Sequence, residues 1–336
     1  MSKMTIFSSD LHHKHDIVSE IYNGQYEESA EKPKRIDNIL QEIKEFTVFG
    51  QIIQIPEELI LQVHDTNYIN FLKQIKNSNF DKVYPSVRNY SDFLETKPKK
   101  IEIIAGEYVF DSFTPFTSQI WEVVNESATL AFSACNYTLE TRKNSYALCR
   151  PPGHHATKNM AGGYCYLANA SLVAQNLVNL GKNPCILDID YHHGNGAQEI
   201  WYESNQVLTI SIHRDPIDKF PYYSGFESEK GLGLGLNWNY NLLLPKETKK
   251  QEYLKKLEKA IKIILDKKCD YLVISAGFDT YKNDPICDFE LEIETYQKIA
   301  KMIKELNLPT VILQEGGYHL QDLGKCVKAF LQNLIN

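Results

Sequence analysis

The sequence predicts an α/β protein with an open, mostly parallel β-sheet and helices on both faces. From about residue 117 onward, short apolar runs alternate with amphipathic helical segments, a pattern typical of βαβ units. Polar residues also cluster directly after these apolar runs. Because active sites in open parallel sheets lie outside the carboxyl ends of the strands, we expect one functional edge.

The individual elements follow from apolar runs, helical spacing and stop signals. Strands are predicted at Met4–Phe7, Tyr146–Cys149, Pro184–Asp190, Val207–Ile212, Tyr271–Ser275 and Thr310–Leu313. Helices are predicted at Tyr164–Leu180, Ala197–Glu203, Lys249–Lys267, Leu291–Leu306 and Leu320–Leu334. The polar span 78–100, which ends in the basic run from Lys97 to Lys100, is expected to be a solvated surface loop.

Composition narrows the functional classes. The 336 residues are 43% hydrophobic, which excludes wholesale disorder. The formal net charge of −7 argues against a nucleic-acid partner. The seven cysteines are scattered and no apolar run could span a membrane, so we expect a cytoplasmic protein with reduced thiols and no membrane partner. Without a linker or repeat, residues 1–336 are expected to form a single catalytic domain.

A metal site is predicted around Asp190 and His192. Asp188 and Asp190 lie in an apolar run, where carboxylates are costly unless a cation or strong donors meet them. Asp190 and His192 share one strand face, and Asp279 follows another strand, so these three could form a catalytic zinc site with an open position. A hydrogen-bonded Asp–His pair capping a loop is the alternative for an isolated motif.

Two adjacent histidines and one tyrosine complete the candidate chemistry. His154 and His155 follow Pro-Pro-Gly, a turn in which both rings can line one pocket. Each ring needs a partner that fixes its tautomer, and Asp188 and Asn195 are the candidates. Tyr318 follows two glycines and could donate its hydroxyl to an oxyanion, although a packed surface tyrosine is the alternative.

Four motifs together resemble the zinc-dependent histone deacetylase superfamily. They are Arg150-Pro-Pro-Gly-His-His, Asp188-Ile-Asp-Tyr-His-His-Gly-Asn-Gly, Ser275-Ala-Gly-Phe-Asp and Glu315-Gly-Gly-Tyr. Further segments are most similar to bacterial acetylpolyamine amidohydrolases: Phe110-Asp111 with Thr114-Pro115, Ser211–Pro216 and Phe220–Gly225. The resemblance covers nearly the whole chain and implies an arginase/deacetylase-like sheet with the active site at the carboxyl edge of the strands.

The resemblance also implies a role for each matching residue. Asp190, His192 and Asp279 would bind the catalytic zinc, although iron(II) is possible, and Tyr318 would polarise the scissile carbonyl. His155 would be the general base, with Asn195 behind it, and His154 its electrostatic partner, with Asp188 behind it. The tunnel for the acyl chain would be lined by Gly163, Tyr164 and Phe220, with Glu102 near its mouth. A structural potassium ion would be held by Asp188, Ser211 and the main-chain carbonyls of Asp190, His192 and Ile212.

The implied reaction is the hydrolysis of the N-acetyl amide of acetylated polyamines or similar small acetylated amines, and a homodimer is possible. A protein N-acetyl-lysine deacetylase is the main alternative. An arginase-like ureohydrolase would need a second carboxylate near Asp279, where position 281 is Tyr. An inactive deacetylase-like binding module would lack a ligand, base or tyrosine, and none is missing. The cluster of His12, His13 and His15 is expected to be a polar rim loop, with a second metal site as the alternative.

Overall fold

The computed structural model describes residues 3–88 and 98–335. Within this part of the chain, eight strands form the central sheet in the order β10-β9-β8-β11-β12-β7-β1-β4, and all neighbours pair in parallel. The sheet strands are β1 Met4–Phe7, β4 Thr47–Phe49, β7 Ser145–Ala147, β8 Pro184–Asp188, β9 Leu208–Arg214, β10 Asn239–Leu244, β11 Tyr271–Ala276 and β12 Thr310–Gln314. Two separate antiparallel pairs are β2 Ser19–Tyr22 with β3 Gln25–Glu28, and β5 Lys82–Val83 with β6 Phe116–Thr117.

Helices cover both faces of this sheet, as predicted. They are α1 Lys34–Ile43, α2 Glu57–Val63, α3 Thr66–Gln74, α4 Ile101–Ile104, α5 Ile120–Thr141, α6 Asn169–Asn179, α7 Asn195–Trp201, α8 Lys250–Asp266, α9 Ile293–Lys304 and α10 Leu323–Leu331. Alternate strand residues face opposite layers: Cys185 and Leu187 join the core with α1, α8, α9 and α10, whereas Ile186 joins the core with α5, α6 and α7. A third core packs α2 and α3 beside the sheet.

The six predicted strands are confirmed within a few residues, whereas β4 and β10 were not predicted. The long α5 was not assigned either. The helix predicted from Tyr164 begins at Asn169 instead, because Gly163 and Tyr164 have φ of 55° and 66°, which a right-handed helix cannot include.

The span predicted as a surface loop is only partly described. Its residues Lys82–Val83 form β5, and residues 89–97, including Lys97 of the basic run, lie outside the described residues. None of the helices in the described ranges combines the length and apolar character that crossing a bilayer requires.

Candidate active site

Five neighbouring strands of the sheet, β9, β8, β11, β12 and β7, deliver polar residues to one edge. The chain order reverses between β8 and β11, and such a switch point opens a crevice at the carboxyl ends of the strands. The last residue of β8, Asp188, and the segments that follow these strands carry all five predicted catalytic residues and all three predicted zinc ligands. The fold therefore brings together, in space, motifs that lie up to 164 residues apart in the sequence from His154 to Tyr318.

The three predicted metal ligands converge at the centre of this edge. Nδ1 of His192 lies 3.1 Å from Oδ2 of Asp279 and 3.3 Å from Oδ1 of Asp190. Both carboxylates are fully buried. Main-chain N–H groups orient them, since Gly316 donates to Asp190 and Tyr191 donates to Asp279. Two carboxylates and one imidazole are a donor set that suits a divalent catalytic metal ion.

The surroundings of these carboxylates fit a bound cation. A Cβ atom on Gly277 would lie 2.1 Å from Oδ2 of Asp190, and one on Gly316 would lie 2.6 Å from Oδ2 of both aspartates. The backbone therefore approaches the carboxylates as closely as glycine allows. Burial, reinforced by the charge of Asp190, raises the pKa of Asp279 to about 6. A cation would offset the repulsion that causes this shift.

Cys287 also lies beside the metal ligands, which the sequence did not indicate. Its thiol is within 4.8 Å of the potential ligand atoms of His192 and Asp279. Burial and the neighbouring charges of Asp284 and Asp279 hold the pKa of this thiol well above its ordinary value. Because only the thiolate is a good metal ligand, the two aspartates and His192 remain the expected ligand set.

The two adjacent histidines differ in charge. Their ring centroids are 3.9 Å apart, and Nδ1 of His154 lies 3.0 Å from Oδ2 of Asp188. Although burial opposes a charge, the carboxylates of Asp190 and Asp188 hold the pKa of His154 well above its usual value. Burial and the charges of His154 and His192 hold the pKa of His155 well below it. The neighbouring carboxylates therefore favour the charged form of His154, and burial favours the neutral form of His155.

Asn195 fixes the tautomer of His155. Its Oδ1 lies 2.7 Å from Nδ1 of His155, while its Nδ2 donates to the His155 carbonyl at 3.2 Å. Because an amide oxygen only accepts, Nδ1 of His155 carries the hydrogen. The lone pair is therefore on Nε2, where a general base needs it.

The strand β8, which ends at Asp188, pairs with β9. Asp188 is in register with Ser211, and Ile212 is the next residue of that strand. Oγ of Ser211 accepts from the Gly194 N–H at 3.3 Å and contacts Nδ1 of His213 at 2.8 Å. Of the predicted potassium ligands, Asp188, Ser211 and Ile212 are thus neighbours in the sheet, whereas Asp190 and His192 follow the end of β8.

Tyr318 is held by the start of the chain. The Arg35 guanidinium donates to the carbonyls of Glu315 and Gly317 at 2.5 and 2.6 Å and lies over the Tyr318 ring, 4.7 Å from its centroid. Glu31 neutralises this arginine at 2.7 Å. No sequence motif indicated this positioning role of Arg35. The side chains of Arg35 and Glu31 are only 0% and 2% exposed, and burying such an ion pair is costly unless it serves a specific structure.

A pocket of about 270 Å³, which corresponds to the predicted tunnel, is lined by His155, His192 and Tyr318. The predicted wall residues Gly163, Tyr164 and Phe220 all line it, together with Phe113. The Phe113 ring contacts those of Tyr164 and Phe220, each with centroids 5.4 Å apart, and Phe220 packs edge-on against His155 at 4.9 Å. The aromatic walls suit a slender apolar chain.

The Phe110-Asp111 segment holds the tunnel wall in place through hydrogen bonds. Asp111 is buried and accepts hydrogen bonds from the Gly163 N–H and from the Thr114 hydroxyl. Oγ1 of Thr114 in turn accepts from the Tyr164 N–H at 3.0 Å. A Cβ atom on Gly163 would lie 2.2 Å from Cδ2 of His155, so the wall at this point is backbone alone.

Acidic side chains of the β2–β3 hairpin line the tunnel mouth. Oε1 of Glu20 accepts from the Tyr164 hydroxyl at 2.8 Å, and the Ser29 hydroxyl is a further hydrogen-bonding neighbour of its carboxylate. Glu27 lines the same mouth, as does Lys219, which faces Asp288 at 3.6 Å. Sequence analysis did not identify either glutamate, because a short polar hairpin carries no motif.

Glu102 is not brought to the tunnel. It lies on α4 and lines a separate cleft of about 600 Å³ with Lys82, Tyr84 and Lys100. The short α4 is followed at once by a 3-10 turn over Ala105–Glu107, and this local course directs Glu102 away from Tyr164 and Phe220. The acid predicted at the mouth is therefore supplied from β2 and β3 instead.

Comparison with known proteins places this geometry in a family. The histone deacetylase domain model matches residues 29–334. The chain belongs to the histone deacetylase family. One member, Acetylpolyamine amidohydrolase 2 of Pseudomonas aeruginosa, is 34% identical across 96% of this chain and 95% of its own. Another, Histone deacetylase HDA1 of Saccharomyces cerevisiae, is 35% identical across 61% of this chain and 30% of its own.

Solved structures of the histone deacetylase family agree with the fold. The acetylpolyamine aminohydrolase from Burkholderia pseudomallei superposes with a TM-score of 0.93 at 30% identity, covering 99% of this chain and 98% of the other. The HDA15 HD domain gives 0.84 at 23% identity over 99% and 90%. The arginase/deacetylase-like sheet predicted from the sequence is confirmed.

Proposed function

We propose that this protein is a zinc-dependent deacetylase that hydrolyses the N-acetyl amide of acetylated polyamines or similar small acetylated amines. Family membership supports hydrolysis of a linear amide, and relatives named acetylpolyamine amidohydrolases match nearly the full chain. The observation that carries the proposal is the narrow aromatic tunnel, which joins the buried catalytic residues to an acidic mouth.

His155 is the general base. Its Nε2 is free to accept because Asn195 holds the hydrogen on Nδ1, and its depressed pKa keeps the ring neutral. It takes a proton from the attacking water and then returns one to the leaving amine. The products are acetate and a free amine.

Tyr318 stabilises the negative charge that develops on the amide oxygen. His154 is the electrostatic partner of His155, with its ring next to that of His155 and its Nδ1 held by Asp188. Burial, against the opposing effect of Arg35, holds the pKa of the Tyr318 phenol well above its usual value, so its hydroxyl stays protonated and able to donate. Such donors are typically worth about 3 kcal/mol each in the transition state.

Asp190, His192 and Asp279 hold the catalytic ion. Zn²⁺ suits two carboxylates and one imidazole, although Fe²⁺ takes the same ligand types. Once bound, such an ion polarises the acetamide carbonyl and lowers the pKa of a water molecule. The register of Asp188 with Ser211 on β9 supports a structural K⁺ beside Ser211 and Ile212.

The mouth explains a preference for cationic amines. Glu20 lines the mouth beside the Tyr164 hydroxyl, and an ammonium group would pair with its carboxylate. Glu27 adds a second negative charge at the same mouth. The apolar chain of an acetylated polyamine would lie along Phe113, Tyr164 and Phe220, with its free ammonium at these glutamates.

A protein N-acetyl-lysine deacetylase is the second candidate, because Histone deacetylase HDA1 matches 61% of this chain. An acetyl-lysine side chain would fit the same tunnel. An acetyl-lysine side chain carries no free ammonium group that could pair with Glu20. The two candidate substrates therefore differ in the group that the mouth recognises. For either activity we propose that residues 1–336 form one catalytic domain. We also propose that the protein is cytoplasmic and forms homodimers.

The test is kcat/KM of the zinc-loaded protein for acetylputrescine, acetylspermidine and acetylcadaverine against an acetyl-lysine peptide. The proposal expects a preference for the polyamines that Glu20→Gln reduces and that the matched change Glu28→Gln, also on the hairpin but exposed, leaves unchanged. A preference for the peptide in the unaltered protein would replace the first candidate with the second.

A further inference from the structure

A second cluster of metal-ligating side chains lies outside the active site. His12 and His13 belong to a 3-10 turn over Asp10–Lys14, and Asp37 lies in the first turn of α1. One potential ligand atom from each lies within 4.8 Å of the other two. Nε2 of His13 is 3.3 Å from Oδ1 of Asp37, and the two imidazole rings are 4.1 Å apart.

His12 is the unusual member of this cluster. It is only 5% exposed, and its Nδ1 is buried without a hydrogen-bond partner among residues 3–88 and 98–335. Buried polar atoms are rarely left in this state, and a bound ion is one of the recognised explanations. Burial, then the charges of His13 and Arg150, lower the pKa of His12 to about 4, so at neutral pH its ring carries a lone pair rather than a charge.

The other two members are accessible. The side chains of His13 and Asp37 are 48% and 47% exposed, and both line an open cleft of about 520 Å³. An ion could therefore enter from solvent and keep water at its remaining position. Two imidazoles and one carboxylate with an open position are typical ligands of zinc and of related divalent ions.

We propose that His12, His13 and Asp37 form a second site for a divalent transition-metal ion such as Zn²⁺, distinct from the catalytic centre. The two sites share no ligand and lie on different elements. The inference does not depend on the substrate proposed above, because it concerns binding alone.

The position of this site gives it a structural role. Its ligands join the 3-10 turn to α1, and both segments hold the active site in place. The carbonyls of His12 and His15 accept from Arg150 at 2.5 and 2.6 Å, directly before the Pro-Pro-Gly-His-His segment. Arg35 on α1 holds the loop that carries Tyr318. An ion bridging the turn and α1 would stabilise both supports.

Zinc stoichiometry of the full-length protein tests the proposal, by equilibrium dialysis followed by elemental analysis. The unaltered protein should bind two ions per chain, and His13→Ala and Asp37→Asn should each bind one. Asp279→Asn, which removes a catalytic ligand, should also bind one. His319→Ala is the matched control, because His319 faces Asp322 at the same 3.3 Å without a second imidazole, and it should bind two.

Thermal unfolding provides a second readout that does not depend on activity. Zinc at a hundredfold excess over its Kd, added beyond the first equivalent, should raise the Tm of the unaltered protein by about 3–5 °C. The same addition should leave the Tm of His13→Ala and Asp37→Asn unchanged. One ion per chain in the unaltered protein, or two in both of these variants, would overturn the proposal.

Discussion

The floor of the active site and its mouth are built in different ways. The floor lies at the carboxyl edge of five parallel strands, where Asp190, Asp279 and His155 are almost fully buried and held by main-chain donors or by Asn195. The mouth is formed by the small β2–β3 hairpin, whose second strand is entirely exposed. Its acidic residue Glu20 accepts a hydrogen bond from the Tyr164 hydroxyl.

This contrast separates chemistry from recognition. Changes in the floor should lower kcat, because they remove interactions made in the transition state. Changes in the mouth should alter KM for charged substrates, because the mouth lies away from the scissile amide. A variant that fails to follow this division would show that the two regions are coupled.

The largest effect is expected from His155→Ala or Tyr318→Phe. Loss of a general base or of an oxyanion donor typically costs on the order of 10²–10⁴ in rate. Steady-state kcat on acetylputrescine measures it, and circular dichroism checks that the fold persists. Near-normal turnover in either variant would remove that residue from the mechanism.

Gly163→Ala is expected to have the next largest effect on kcat, because this glycine lies where the tunnel wall meets the floor of the active site. The new Cβ would lie 2.2 Å from the His155 ring, and the backbone φ of 55° disfavours alanine. Displacement of the ring should lower kcat by about 10- to 100-fold. Gly181→Ala also has a positive φ but open space around it, so it should lower Tm and leave kcat unchanged. An equal loss of kcat in both would mean that the effect is not local.

Glu20→Gln should raise KM for acetylputrescine by about 10- to 100-fold and change kcat little, because a charge-assisted hydrogen bond contributes about 1.5–3 kcal/mol. The neutral N-butylacetamide should be turned over with the same KM by both proteins. A rise in KM for both substrates would instead indicate damage to the tunnel through the Tyr164 hydroxyl.

The mouth should also respond to pH. Burial, against the hydrogen bond from Tyr164, raises the pKa of Glu20 above 4.5, and the ammonium needs the ionised carboxylate. Acidification through this raised pKa should therefore raise KM for acetylputrescine relative to N-butylacetamide, by a few-fold at first. The ratio of the two KM values reports on the mouth, because protonation of groups in the floor affects both substrates. In Glu20→Gln the ratio should be independent of pH, and a persistent dependence would overturn the assignment of the effect to Glu20.

The smallest effect is expected from Glu102→Gln. This side chain lines a different cleft from the tunnel, and exposed substitutions away from a site are usually almost neutral. Both kcat and KM should stay within about twofold of the unaltered values. A marked rise in KM for the polyamines alone would restore Glu102 to the mouth.

The sequence was informative where local pattern and chemistry coincide. Asp190 and His192 directly follow an apolar strand, so their edge of the sheet could be predicted, and their spacing indicated a shared ion. Glu20 could not be found in this way, because its position depends on a hairpin packing against Tyr164, which lies 144 residues later. Glu102 was placed at the mouth from its position in the chain, whereas the turn after α4 determines where it lies.

Arg35 links two segments of the active site that lie far apart in the sequence. Its bonds to the carbonyls of Glu315 and Gly317 span 280 and 282 residues, and β12, which precedes them, lies between β11 and β7. Synthesis proceeds from the N-terminus, so Asp190, His192 and Asp279 are added to the chain before the loop that carries Tyr318. A chain that ends before this loop would leave the Arg35 guanidinium without the two carbonyls that it binds. Activity should therefore appear only after Tyr318 has been added.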